Sequence, residues 1–448
     1  MGKMRNYIGN LFEIETKDEN SKILLFDGYL GSRQDLLDNN EQDELNNKGI
    51  ETGFLKIDIE NNQIEKLFGV APDNEQELID KWFEIILSSN SEDPLICMMF
   101  TDLGNELGTL SHIASFSIIG TGSDDDKLLE HINSLLDLTD IYNNTSKKIK
   151  STIRSFKEKI KGIDSKNINV ISYNVGQGNA IGIFHGKTPL FYFDLGGGAY
   201  WNKKTYRDVI SFPIDNNPFI ILSHWDFDHY ESLRSKIEHY NECTIIAPLQ
   251  KITPSAKKLA DKLKNLILID QEFNNGINCG FFEIFRCSGW TKNDTGIGIS
   301  IDLKKENDIS KILLPGDAQY CFIEKKYKTN IDAICVSHHG GKICNEENFP
   351  ISTEKDKGFC VYSYGKGNVY GHPLNESKET HKEKGWGNNS ESESEDEFNS
   401  KDGFAYDTTL GDVMYRKYNP LLKCRYEDFC RSKEWNAKID KLLKCTDE

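Results

Sequence analysis

The sequence predicts a mixed α/β chain in two parts: a separate mixed α/β N-terminal domain, then a layered domain of sheets covered by helices. Three observations predict it. From Asn167 onward, eleven short apolar runs alternate with glycine-rich turns, and helical stretches lie between some of them. Charge divides unevenly, with 29 acids and 10 bases in residues 1–146 (net −19) against 42 acids and 44 bases in the remainder (net +2). A basic stretch at 146–166 separates the two textures. At 448 residues the chain is long enough for two domains, and 38% hydrophobic with 28% charged residues is a globular balance.

Residues 1–145 form the acidic N-terminal domain. Ile23–Phe26, Phe54–Ile59 and Leu95–Phe100 read as strands. Glu75–Leu87 and Lys127–Leu138 read as helices, the first because Leu78, Trp82, Ile85 and Ile86 share a helical face. His112 and His131 lack neighbours at ligand spacing and read as ordinary histidines. Residues 146–166 carry Ile149, Ile153, Phe156 and Ile160 at helical spacing among lysines, a connecting helix packed on one domain. A basic strip beside a polyanion is the alternative.

The layered domain spans 167–420. Its strand-like runs are Asn169–Tyr173, Ala180–Phe184, Leu190–Asp194, Phe219–Ser223, Thr244–Ala247, Leu266–Ile269, Gly280–Phe285, Gly298–Leu303, Lys311–Leu314, Ala333–Ser337 and Gly358–Tyr362. Helices are expected near Tyr230–Tyr240 and Pro254–Asn265. Residues 385–403 are low-complexity and acidic and read as an insertion. Phe404–Tyr415 is strand-like, and 421–448, with Tyr426 and Trp435, reads as a helical tail.

The opening residues have no apolar run followed by a cleavage site, and no stretch approaches the ~18 apolar residues of a membrane span. Eleven cysteines without a C-x-x-C pair predict reduced thiols rather than a disulfide framework. A cytoplasmic protein is the expectation. Because the acidity lies outside the second domain, the net charge does not exclude a phosphate substrate.

The chemistry concentrates in Ser-His-Trp-Asp-Phe-Asp-His at 223–229, between an apolar strand and a helix. His224, Asp226, Asp228 and His229 place four metal-ligating side chains on one strand-end loop, enough to supply two cations a few ångströms apart. Leu-Pro-Gly-Asp-Ala (314–318) brings Asp317 to another strand end, where a carboxylate can bridge two cations. Val-Ser-His-His-Gly-Gly (336–341) brings His338 and His339, and Tyr-Gly-His-Pro (370–373) adds His372. Singly, each motif also reads as a turn or a solvated loop. Their order and strand-end placement favour ligands converging on one sheet rim.

With Asn-Val-Gly-Gln-Gly-Asn (174–179), Phe-Asp-Leu-Gly-Gly-Gly (193–198), Asn293 and Asn-Val-Tyr-Gly-His-Pro (368–373), these motifs resemble the metallo-β-lactamase superfamily. Within it they are most similar to the soluble hydrolase domain of ComEC-like DNA-uptake proteins and its free-standing relatives. The resemblance covers about Asn167 to Tyr415. It implies an αββα sandwich with a metal site at the edge between two sheets. It implies metal ligation by His224, Asp228 and His229, a bridging Asp317, and a ligand from the His338–His339 pair, His338 ahead of His339. Asp226 and Asn293 fall where the wider superfamily has histidines. Asn174 and Asn179 replace usual aspartates, and Gly341 replaces a usual serine.

The expected cofactor is a pair of divalent ions, Mn²⁺ or Zn²⁺. An oxygen-richer donor set predicts that Mn²⁺ supports activity at least as well as Zn²⁺. Asp228 would hold metal and orient the attacking hydroxide, and His339 or His372 would contact the phosphate or protonate the leaving oxygen. The first function expected is a phosphodiesterase or nuclease acting on nucleic acid or nucleotide, with bacterial anti-phage defence as a conjectured setting. Two alternatives stand. One is a hydrolase of lactones, thioesters or phosphonates, with Trp201, Trp225, Phe227 and Trp290 as candidates for an apolar pocket. The other is a partner-binding subunit whose acidic N-terminal domain docks a basic protein surface.

Overall fold

A computed structural model describes residues 4–18, 20–38, 50–71, 74, 77–89, 95–101, 109–120, 122–197, 212–305, 309–342, 348–353, 358–387, 405–407, 412–415 and 421–422. Trp201, Tyr426, Trp435 and most of the acidic stretch 385–403 lie outside the described residues. The chain divides into two compact units. One comprises Met1–Leu138 with Lys251–Asp261 and Val369–Gly371; the other is the rest.

The first unit is built on a closed six-stranded barrel. Its strands are β1 (Met4–Asp18), β2 (Ser21–Leu30), β3 (Glu51–Glu60), β4 (Trp82–Ser88), β5 (Leu95–Thr101) and β6 (Thr109–Ile118), hydrogen-bonded in the order β1-β2-β3-β5-β6-β4. Alternate residues point inward, so Leu24 and Phe26, Leu55 and Ile57, and Phe83, Ile85 and Leu87 share one core. Closure leaves no free sheet edge. Helices α1 (Arg33–Asp38), α2 (Asn61–Phe68) and α3 (Ser123–Leu135) belong to the same unit.

Of the helix expected over Glu75–Leu87, the second half is instead strand β4. Phe83, Ile85 and Leu87 fill the barrel while Trp82 packs outside it with Ile8, Tyr29 and Leu128. With both faces of the strand partly buried, the period-two signal blurs into something that resembles a helical one.

The second unit opens with helix α4 (Thr139–Ile160), which begins seven residues before the expected start. Its buried face, Ile149, Phe156 and Ile160, enters the unit's main core. Phe156 stacks on Phe219 at 3.9 Å between ring centroids and meets Phe282 at a tilt, 5.3 Å between centroids. The lysines Lys147, Lys148, Lys150 and Lys157 stay exposed.

Two sheets complete the unit. The strands, in chain order, are β7 (Ile168–Ser172), β8 (Ala180–His185), β9 (Thr188–Leu195), β10 (Phe219–Ile221), β11 (Ile245–Pro248), β12 (Leu266–Ile269), β13 (Ile277–Asn278), β14 (Phe282–Arg286), β15 (Ile297–Asp302), β16 (Lys311–Leu314), β17 (Thr329–Ile331), β18 (Ala333–Cys335), β19 (Ile351–Ser352), β20 (Phe359–Tyr362), β21 (Ala405–Asp407), β22 (Asp412–Met414) and β23 (Leu421–Leu422). One sheet runs β12-β11-β10-β9-β8-β7-β22-β23 and the other β13-β14-β15-β16-β18-β20-β21; β17 and β19 pair separately. Ile181, Phe193, Ile221 and Ile246 of the first share a core with Ile284, Ile299, Ile312 and Val361 of the second, which makes a face-to-face sandwich. The parallel strands β9 to β12 and β16, β18 and β20 are apolar and buried almost throughout, as sheets covered on both faces require. Helices α5 (Phe227–Ser235), α6 (Pro254–Lys262) and α7 (Asn375–Glu383) lie between strands in sequence.

Among the described residues no helix is long and apolar enough to cross a membrane. Cys97, Cys243, Cys279, Cys287, Cys335 and Cys360 are buried free thiols, whereas Cys321 is disulfide-bonded, against the expectation of reduced thiols. Cysteine spacing along a chain does not reveal which thiols meet in space.

Candidate metal centre

Carboxyl ends of parallel strands are where chain reversals expose polar groups without disturbing the sheet. Here Asp194 ends β9, and Ser223, His224 and Asp226 follow β10. Asp228 and His229 occupy the first turn of α5. Asp317 follows β16, His338 and His339 follow β18, and Ser363 follows β20.

Glycines let these loops touch. A Cβ on Gly196 would collide with the Asp228 carbonyl oxygen, and one on Gly178 would lie 2.6 Å from the same atom. A Cβ on Gly316 would lie 2.6 Å from Ser223 Cβ, and Gly316 has φ +62°, where side chains are disfavoured.

Asp317 lies at the centre. Its Oδ2 is 3.2 Å from His229 Nε2, 3.6 Å from His339 Nε2, and 3.9 Å from both His224 Nε2 and His338 Nε2. Asp228 approaches from the other side, with Oδ2 3.2 Å from His339 Nε2 and Oδ1 3.9 Å from His229 Nε2. Donors about 2.1 Å from one tetrahedral ion sit about 3.4 Å apart, so these separations suit a shared cation. Within the second unit, two triads of described residues have ligand atoms all within 4.8 Å of one another: His224, His229 and Asp317, and Asp228, His229 and His339.

Beneath the cluster lies Asp194, fully buried. Its Oδ1 accepts from Ser223 N at 2.7 Å. Its Oδ2 accepts from Ser223 Oγ at 2.9 Å, Asn179 Nδ2 at 3.0 Å and His229 Nδ1 at 2.8 Å. The last bond fixes the Nδ1–H tautomer of His229 and turns the Nε2 lone pair toward Asp317. The Ser363 carbonyl does the same for His339, accepting from Nδ1 at 2.6 Å. A carboxylate at position 179 in place of the amide would face that of Asp194.

Burial disfavours charge on the His229 ring, but Asp317, Asp194 and Asp228 raise its pKa well above the usual histidine value. Burial likewise opposes ionisation of Asp317, yet His229 and His339 hold its carboxyl well below the usual range. The His339 ring is raised against its burial by Asp317 and Asp228. His372 goes the other way, because burial and then His338 and His339 push it well below the usual value.

The residues fit a divalent cation on an independent ground. His229 Nε2 and His339 Nε2 are buried and make no hydrogen bond among the described residues, and both are aimed at carboxylate oxygens.

The structure brings His224, Asp228, His229, Asp317, His338 and His339 together, with His372 alongside at 5.4 Å between its ring centroid and that of His338. His339 reaches farther into the cluster than His338. Positive φ at both residues (+49° and +54°) swings the second ring inward, leaving His339 3% and His338 26% exposed. Asp226 is in neither triad. Its Oδ2 lies 3.0 Å from His224 Nε2, and its Oδ1 pairs with the Lys292 ammonium. Burial would raise the Asp226 carboxyl, but Lys292 and His224 hold it well below the usual range. The Asn293 carbonyl accepts from Gly296 N at 3.1 Å. Of the four aromatic residues considered for an apolar pocket, Trp225 and Phe227 are buried and Trp290 is exposed.

Sequence reasoning missed Asp194 and Lys292. Asp194 was visible inside the Phe-Asp-Leu-Gly-Gly-Gly motif; nothing around Lys292 marked it.

No protein-family model matches the chain, and no match appears among curated proteins. Among solved structures, the chain is similar to the metallo-beta-lactamase fold protein YhfI from Bacillus subtilis at 12% identity. That likeness covers 56% of this chain and 99% of the other, with a TM-score of 0.32. The flavodiiron protein from Giardia intestinalis is similar at 14% identity over 32% of this chain and 33% of its own, with a TM-score of 0.19.

Proposed function

We propose that the second unit is a divalent-metal-dependent hydrolase on a metallo-β-lactamase αββα sandwich, and that it cleaves phosphodiesters in a nucleic acid or nucleotide. One observation carries the reading: Asp317 Oδ2 lies within 3.9 Å of imidazole nitrogens from two separate strand-end loops, with His229 Nε2 and His339 Nε2 unbonded and aimed at carboxylates. The near-neutral charge of the chain after residue 146 permits a phosphate substrate.

Bound there, a divalent cation supplies the Lewis acidity that polarises a phosphoryl oxygen. The chain's own residues do the rest. His229, His339, Asp317 and Asp228 hold the cation. Asp194 and Ser363 keep the two imidazoles in the tautomer that leaves Nε2 free to ligate. Asp228, partly exposed, orients the attacking water. His372 meets the substrate as a neutral ring, suited to accept a proton rather than to give one.

The test is cleavage of plasmid, single-stranded DNA, RNA and bis-p-nitrophenyl phosphate with Mn²⁺, with Zn²⁺ and with chelator. Asp317→Asn should lower turnover by at least about 100-fold, since even outer partners of metal ligands are worth about 10–100-fold. Turnover that survives both chelator and Asp317→Asn would remove the reading.

A further inference from the structure

The motif at 223–229, with Asp317, leads one to expect two ions. We propose instead that the Lys292 ammonium stands in for one of them, so that each chain holds a single divalent cation among His229, Asp228, His339 and Asp317. This rests on the metal-dependent reading above.

Three observations carry it. Both oxygens of Asp226 are already engaged, Oδ1 by Lys292 Nζ and Oδ2 by His224 Nε2 at 3.0 Å. A cation placed on Asp226 would therefore have to displace the ammonium or sit against it, and like charges at such range repel strongly.

The lysine is also held in place. Its carbonyl accepts from Gln250 Nε2 at 2.6 Å, and the same amide donates to Thr295 Oγ1 at 2.8 Å. Thr291 Oγ1 donates to Asp294 Oδ2 at 2.7 Å, and Asp294 Oδ1 accepts from Gln319 N at 3.0 Å, two residues beyond Asp317. The turn that carries Lys292 is thus braced against both the end of β11 and the Asp317 loop. The Lys292 side chain is only 17% exposed.

Finally, the two triads share His229. Its Nδ1 is committed to Asp194, so only Nε2 remains, and one imidazole lone pair binds one ion. The triads are therefore alternatives. With the ammonium on the His224–Asp226 side, the ion belongs on the His339–Asp228 side.

The experiment is metal content per chain by mass spectrometry after equilibrium dialysis of the full-length protein against Mn²⁺, and separately against Zn²⁺. One ion per wild-type chain is expected, one in Lys292→Arg, and two in Lys292→Ala. Two ions in the wild type, or one in Lys292→Ala, would overturn the proposal while leaving the hydrolase reading intact. No bound ion in any form would overturn both. Two ions in the wild type would overturn the proposal even if a variant fails to fold.

Discussion

Replacing Asp194 by Asn isolates what a buried carboxylate does for the metal centre. The side chain keeps its shape, and Asn tolerates the positive backbone φ of +59° at this position as well as Asp does. What changes is hydrogen-bonding sense. The carboxylate accepts four bonds, one at Oδ1 and three at Oδ2. The least damaging amide orientation puts NH₂ opposite Ser223 N and keeps the three acceptor bonds, now to a neutral oxygen. A buried donor left facing a donor costs about 1–3 kcal/mol of stability. The His229 ring loses its anionic partner, so Nε2 becomes a poorer ligand. Metal affinity should fall about 10–100-fold, equivalent to about 1.4–2.7 kcal/mol. The assay is titration of Mn²⁺ or Zn²⁺ against a competing chelator, well below the unfolding transition, with circular dichroism to verify the fold. Wild-type affinity in a folded Asp194→Asn protein would refute the argument that this carboxylate orients His229.

Acid should destabilise the second unit through His381. Its Nδ1 donates to the Ser377 carbonyl at 2.7 Å and its Nε2 accepts from Tyr320 Oη at 2.9 Å, so the ring is bonded as a neutral imidazole, and burial lowers its pKa from the usual 6.5 to about 4. The unfolded chain binds the proton first, so this stability is complete above pH 6.5 and is lost as pH falls toward 4, by about 3 kcal/mol. Denaturant melts of wild type and His381→Gln across that range should converge toward low pH, and parallel curves would count against the assignment. Gly196→Ala should displace the Asp228 backbone it lies against and reduce metal content measurably. A folded variant with wild-type metal content would show that the close approach is dispensable.

Where one face of an element is buried, or a loop must be crossed by a backbone, the chain wrote its structure locally. The apolar runs at Phe219–Ile221, Lys311–Leu314 and Ala333–Cys335 are strands within a residue or two of their expected limits. The ligand candidates follow them because polar side chains at strand ends are compatible with the sheet. β4 was unreadable because its two faces bury against different clusters, and β1 because polar residues and a register shift between Leu11 and Glu13 interrupt its alternation.

By itself the sequence determined which residue types could ligate, that they end strands, and that charge separates the first 146 residues from the remainder of the chain. Only the tertiary structure decided which donors share space. It placed His339 deeper in the cluster than His338, set Asp194 beneath His229, and brought Lys292 to Asp226 across 66 positions of chain. The physical reason is that ligation depends on the direction of a lone pair and on charges within a few ångströms. Both are set by how loops from different strands pack, and neither is encoded in any short stretch of chain.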